Sequence, residues 1–434
     1  MLGLAAFSLG LAVVVGLASR NKVVAAPLLA GFFARAAFVL ADEFVLGISR
    51  ESDGFWWDYH ARFMATRSFE QILDTMETGH LLYKFLMSVL YYFVGPSMIM
   101  VQMINALFGS VLILVVFRLA QALGNDQRAS VRAAWLVALF PSTILHSGLL
   151  LREVAVALPL TVGVYHLALW HSKRRTVNAF LAAAFILISM AFHSGSVAVL
   201  FSLAIWIAGS WLRALFTGRG RMLGLNTIAL LLVGGAVAFI AMTGWGMNKF
   251  GHLDTTDMST LTTAQENFTT GRTAYLDGLH ADTPGELLLQ APIRTTYFLF
   301  APFPWMLSDV RDILGVMDSL MFLWLLVRAV RGRQFLRENP TAMLVVVVFL
   351  SMTATFSLGV SNYGTAVRHR NKMLPMLIGV SLAIPLTNRK RSASLGILGL
   401  RNRPVQALEQ ASGAVVPDVL GHGAEPAAAQ GEAT

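Results

Sequence analysis

The sequence predicts an all-α fold, a polytopic transmembrane helix bundle of about eleven spans whose first outer loop contains interfacial helices. Three observations predict it. Hydrophobic residues make up 56% of the 434 and charged ones only 13%, where a water-soluble domain carries about 25% charged residues. Apolar runs recur at the length of about 20 residues that a helix needs to cross a bilayer. The basic residues, which give a net charge of +9, lie in short clusters between those runs. That is the topogenic pattern of cytoplasmic loops and not a nucleic-acid recognition face. There are no cysteines, so disulfides, thiolate metal sites and a cysteine nucleophile are excluded.

Leu2 to Ala18 is a short first span. It has no basic residue before it, so it reads as retained and not as a cleaved signal. Val24 to Ala41 is the second. A first outer loop covers 42–97. Within it Leu81–Val94 is apolar but only about two thirds of a span, and Gly95-Pro96 stops it, so it reads as a helix lying in the interface. Long spans are expected at 98–118, 131–150, 154–171, 176–192, 196–213 and 223–244, then a second outer loop at 245–310. Three more are expected at 311–330, 341–360 and 373–387. Residues 1–390 form the membrane domain, and 391–434, rich in Ala, Gly and Glu, are expected to be a disordered cytoplasmic tail.

If Leu81–Val94 does not cross, six basic clusters fall on one side. They are Arg20/Lys22, Arg118/Arg128/Arg132, Lys173-Arg174-Arg175, Arg213/Arg219/Arg221, Arg328/Arg331/Arg333/Arg337 and Arg389-Lys390-Arg391. The positive-inside rule makes that side cytoplasmic and turns both large loops outward.

The unusual polar residues then gather on the outer side. Asp53 and Asp58 stand among Phe55, Trp56, Trp57 and Tyr59. A carboxylate partly dried by aromatic rings can serve as a base, and the same rings can equally anchor an interfacial helix without chemistry. Arg152-Glu153 lies between two spans. Glu153 is a candidate second carboxylate, or the pair is balanced by charges on neighbouring helices such as Arg35. His146 and His193 sit at outward turns, and as single histidines they also fit simple packing. Trp305 follows in Pro302-Phe-Pro-Trp305, ahead of Asp309 and Arg311. Asn362 to Lys372 reads as an outer turn that breaks the charge rule, because it holds Arg368, Arg370 and Lys372. Such cations suit a lipid phosphate or diphosphate, or they bridge to the acidic residues of the outer loops. No metalloprotease, nucleotide-binding or dinucleotide motif is present. Two or three carboxylates without a histidine cluster suit Mg²⁺ or Mn²⁺ at most, so no obligatory metal is expected.

The order of these features resembles the GT-C class of membrane glycosyltransferases, including its protein-mannosyltransferase-like and lipid-A-aminoarabinose-transferase-like members. The resemblance covers about residues 24–385. It rests on Asp53…Asp58-Tyr59-His-Ala61, on the short helix ending in Phe-Val-Gly-Pro96, and on Asn105-Ala-Leu-Phe-Gly109. It rests also on Ala133-Ala-Trp-Leu-Val-Ala-Leu-Phe-Pro141 leading to Arg152-Glu153. The Pro-Phe-Pro-Trp and Gly-Thr-Ala-Val-Arg-His-Arg stretches are similar to those of bacterial members tied to surface-polysaccharide assembly. Gly79-His80-Leu81 replaces the usual Pro-Pro pair, and the longer spacing from Asp53 to Tyr59 leaves Asp53 and Asp58 both open as the counterpart of the family's acidic residue.

The resemblance implies sugar transfer from a polyprenyl-phosphate or polyprenyl-diphosphate donor on the outer face of a bacterial inner membrane. It implies Asp53, Asp58 and Glu153 as catalytic candidates, and Arg152, Arg368, His369, Arg370 and Lys372 at the donor phosphate. Trp56, Trp57, Tyr59, His193 and Trp305 would meet the sugar or acceptor. Implied partners are the lipid-linked sugar, membrane lipid and proteins of polysaccharide assembly or export. A divalent metal is used by some members and not by others. The rival readings are a repeat-unit polymerase using the same face, a lipid-linked sugar transporter, and a non-catalytic assembly partner.

Overall fold

The computed structural model describes residues 1–51, 53–217, 234, 272–279, 281, 283–309 and 312–385, within one compact unit, Met1–Pro385. The expected span at 223–244 apart from 234, residues 245–271 of the second outer loop, Arg219, Arg221, Arg311, Arg389-Lys390-Arg391 and the tail lie outside the described residues. Among the described residues the fold is helical, and the one β feature is an isolated antiparallel bridge between Ala274 and Asn362.

Seven of the described helices are long and apolar enough to cross a membrane. They are α1 (Leu2–Arg20), α2 (Ala25–Ala41, extended by a wide turn to Leu46), α6 (Met98–Gly124), α9 (Glu153–Lys173), α11 (Ala198–Thr217), α13 (Asp312–Arg331) and, after the short α14 (Arg333–Glu338), α15 (Pro340–Gly359). The other expected spans depart from this pattern for separate reasons. The 131–150 run is broken into α7 (Gln127–Leu139) and α8 (Pro141–Gly148), bent by 55°. The helix at 176–192, α10 (Thr176–Phe192), has 17 residues. The last expected span begins ten residues early, as α16 (Tyr363–Ala383), and therefore contains Arg368, Arg370 and Lys372.

That early start corrects the reading of 362–372 as an outer turn. Asn362 is the helix N-cap, its side-chain oxygen accepting from the Thr365 N–H. His369, Arg370, Asn371 and Lys372 are all buried in the bundle. The second outer loop is likewise not a loop throughout. Pro284–Phe300 forms α12, capped by Thr283 and packed along α13 and α15.

The first loop folds as expected into short helices, α3 (Asp53–Ala65), α4 (Phe69–Leu73) and α5 (His80–Val94). At about 1.5 Å per residue α5 is shorter than the roughly 30 Å hydrocarbon layer. It packs on α3 instead, burying Tyr83, Phe85, Met87 and Tyr91.

α6 is the central rod, lined by α1, α2, α7, α9 and α16. Of the basic clusters, Arg118, Lys173 and Arg328 stand at one end of the bundle. Arg118 donates to Asn21, and Arg328 donates to Ser381 O (2.7 Å) and Ile384 O (2.5 Å) at the end of α16. His171 contacts Thr341 there, and Asn339 donates to Leu123 O. Lys173 and Glu153 close opposite ends of α9, about 30 Å apart by helix geometry.

The break between α7 and α8 explains a buried charge. Pro141 cannot donate to Val137 O, and the bend exposes further carbonyls among apolar side chains. Arg35 of α2 closes the gap with all five of its N–H donors. It gives them to Gly31 O, Ala138 O, Val137 O, Ser147 Oγ and, at 3.4 Å, Thr143 Oγ1. Gly109 of α6 makes room for this. A Cβ there would lie 2.6 Å from Arg35 Nε and from Ser147. Arg35 is thus a plug for a broken helix, not the partner of Glu153 that its place in the sequence allowed.

Candidate functional site

The site lies at the end of the bundle opposite Arg118, Lys173 and Arg328, where α3, the α8–α9 link, the α10–α11 turn and α16 meet. The link Leu149-Leu150-Leu151-Arg152 is not helical, and its backbone groups need partners. Asn105 of α6 donates its side-chain amide to Leu149 O (2.9 Å) and Leu151 O (3.0 Å). Leu150 N–H donates to Ser49 Oγ (3.2 Å), and Gln102 of α6 donates to Ser49 Oγ and Asp42. These bonds fix the position from which Arg152 and Glu153 enter α9. Gly54 then lets the start of α3 rest on the link, because any Cβ there would meet Leu150 O at 2.7 Å. That contact sets Asp53 beside α16.

Arg368 is the centre of the cluster. Its Nη1 donates to Asp53 Oδ2 and its Nε to Glu153 Oε1, both at 2.9 Å. The Asp53 side chain is 56% exposed, that of Arg368 30% and that of Glu153 3%, so the three run from solvent into the bundle. Lys372, one helical turn after Arg368, places Nζ 4.0 Å from Glu153 Oε1 and 3.0 Å from His369 Nδ1. His369 stacks on Phe356, 4.5 Å between centroids, and meets His193 edge-on at 5.0 Å. His193 caps its own turn, accepting from the Gly195 N–H at 3.0 Å. Arg152 donates to Phe192 O (2.8 Å), while its buried Nε has no hydrogen-bond partner. Three cations, Arg152, Arg368 and Lys372, therefore face two carboxylates.

The remaining expected residues separate from this cluster. Arg370 points to the opposite face of α16, where Nε lies 3.0 Å from Asp318 of α13, both side chains being fully buried. It also donates to Leu299 O and Ser319. Asp58 lies on another side of α3, where Arg62 and the Tyr91 hydroxyl each donate to it at 2.5 Å. Burial and this bond to Asp58 push the Tyr91 phenol well above the usual tyrosine range, and the same carboxylate holds the Arg62 guanidinium protonated. Trp57 packs inward on Tyr83, whereas Trp56 and Tyr59 are exposed on α3 one to two turns from Asp53. Trp305 is exposed and stacks on Phe303 at 4.8 Å.

Among the described residues no group of three or more His, Asp or Glu side chains converges as a metal-ligand set. Between Asp53 and Glu153, where a divalent cation would sit, the Arg368 guanidinium already lies. The arrangement suits an anion that competes with two carboxylates for that guanidinium. No protein-family model and no curated protein matches the chain.

Sequence reasoning missed Asn105 as a positioning residue, although it lies in a quoted motif. An amide in an apolar span was the available signal, since such a group needs an internal partner, and Gln102 carried the same signal. Ser49 and Asp42, in the first loop, carried no comparable signal.

Proposed function

We propose that the chain is a membrane glycosyltransferase of GT-C-like fold with about eleven spans. It moves a sugar from a polyprenyl-phosphate or polyprenyl-diphosphate donor to an acceptor at the outer face of the bacterial inner membrane, in assembly of surface polysaccharide or a related glycoconjugate. The observation that carries this reading is the bridging of Arg368 between Asp53 and Glu153, beside Lys372 and Arg152, at the bundle end opposite Arg118, Lys173 and Arg328. A cluster with one cation in excess attracts an anion at headgroup depth.

In the reaction the donor phosphate takes Arg368 from its carboxylates. The acceptor oxygen attacks the anomeric carbon, the carbon–oxygen bond to phosphate breaks, and its electron pair leaves on the phosphate. Arg368, Lys372 and Arg152 stabilise that charge. Asp53, the exposed carboxylate, takes the acceptor's hydroxyl proton. Asp58, already engaged by Arg62 and Tyr91, serves to hold α3 on α5. Trp56 and Tyr59 offer ring faces to the sugar.

The test is the mass profile of lipid-linked oligosaccharides in cells with and without the gene. A species short by one sugar that accumulates on deletion, and again with Asp53→Asn, supports the reading. Accumulation of single complete repeat units assigns polymerisation instead. An unchanged profile, together with purified protein that moves a lipid-linked sugar across liposomes without altering a glycosidic bond, assigns transport.

A further inference from the structure

Behind Glu153 lies a small cavity lined by Arg35, Thr143, His146, Ser147, Glu153 and Asn371, with about 20 Å³ open to the centre of a water molecule. A cavity needs roughly 10–15 Å³ by that measure to hold one water. Its polar groups are unequal. Arg35 has no donor left to give. Glu153 is 2% exposed, and while Oε1 faces Arg368, its Oε2 is buried with no hydrogen-bond partner. His146 is buried with Nδ1 2.8 Å from Ser142 O, and a carbonyl accepts only. Nδ1 therefore carries the proton of the neutral ring, and Nε2 is left as a bare acceptor. Both residues line this one water-sized cavity, and a water in it that donates to the two acceptors would satisfy them together.

The pair matters when Arg368 leaves. A buried carboxylate stripped of its guanidinium is strongly destabilised. Lys372 stays near Oε1, at 4.0 Å, and donates to His369. No hydrogen-bond donor reaches Oε2, and Arg35, the cation that lines the cavity with it, has its donors in use. We propose that phosphate binding at Arg368 is coupled to uptake of one proton by the Glu153–water–His146 unit. The water passes the proton to His146 Nε2, and the imidazolium so formed replaces Arg368 as counter-charge to Glu153. The groups that face His146 are Glu153 from α9, Arg368 and Lys372 from α16 and Arg35 from α2. Asp318 on α13, which packs on α8, is already paired with Arg370. The inference rests on the phosphate reading above, and the experiment separates the two.

Full-length protein in nanodiscs is titrated calorimetrically with dihexyl phosphate, a phosphodiester whose single charge does not change near neutral pH. The titration is repeated in buffers of different ionisation enthalpy. Linkage predicts uptake of about one proton per phosphate bound. His146→Gln keeps a donor toward Ser142 O, and it is expected to bind with uptake lost. Glu153→Gln, which removes the anion, loses uptake through the other partner, so either variant that folds is informative. Binding by the wild type without buffer dependence, or uptake retained in a folded variant, overturns the coupling and leaves the phosphate site standing. No binding by the wild type overturns both.

Discussion

α3 carries two aspartates five residues apart, and they sit in ion pairs of opposite character. Asp58 is paired locally. Its cation, Arg62, is one turn away on the same helix, and Tyr91 of the adjacent α5 completes the site. Asp53 is paired across the molecule, with a guanidinium 315 residues away that it shares with Glu153. The first network is satisfied within one loop and fixes a helix against its neighbour. The second joins four separate elements, leaves a buried Glu153 oxygen and the Arg152 Nε unpartnered, and opens to solvent. Asp58 is engaged on both oxygens, whereas the cluster around Asp53 keeps unused donors and acceptors with which it can exchange partners, and that difference separates the two aspartates.

The largest effect that sharpens the contrast is on transfer. Asp53→Asn and Arg368→Ala are each expected to lower sugar transfer in membranes by about 10²–10³-fold, as loss of a base or of a charge-stabilising donor does. Asp53→Asn should leave the melting temperature nearly unchanged. Equal loss of activity in Arg62→Ala would break the distinction, since Arg62 is the exposed half of a pair that holds α3 and does not reach the Asp53 cluster.

Asn105→Ala comes next. It strips two buried carbonyls of their donor, at a cost of about 1–3 kcal/mol each, so the melting temperature and activity should fall together. Activity lost without a change in melting would mean that Asn105 meets substrate itself. Asp58→Asn should lower stability by about 1–3 kcal/mol, as for a buried hydrogen-bonded charge, and reduce activity less than Asp53→Asn.

The smallest effect is on pH dependence. The Tyr91 phenol titrates higher folded than unfolded, so the folded state holds more protons above the ordinary tyrosine value of about 10. Its contribution is complete below that pH and is lost as pH rises beyond it. Tyr91→Phe should therefore flatten the alkaline fall in melting temperature, and an unchanged slope would remove Tyr91 from the account.

Helical class and most span positions were legible because the bilayer demands apolar runs of fixed length. The grouping of Asp53, Arg152, Glu153, His193, Arg368, His369 and Lys372 was legible too, because charges at the ends of spans are rare enough to stand out. The start of α16 was not. Arg368 to Lys372 look like a loop to any measure of hydropathy, and only Asn362 as a cap marks the helix. Arg35 was noticed as a charge, but its role depends on a helix break that Pro141 hints at and tertiary packing completes. The parting of Asp53 from Asp58, and of Arg368 from Arg370, is a matter of which helix face each residue occupies. Neighbouring elements set that, and they are remote in sequence.

α16 is held on both flanks. Arg368 and Lys372 look toward the cluster, while Arg370 on the far flank grips Asp318, Leu299 O and Ser319. A rod fastened on one side cannot roll to present its other side, so the transmembrane scaffold is a fixed wall at this depth. On the proposed reading, opening or closing around a donor lipid falls instead to the first-loop helix, which touches that wall through a solvent-facing carboxylate and a glycine seated on Leu150.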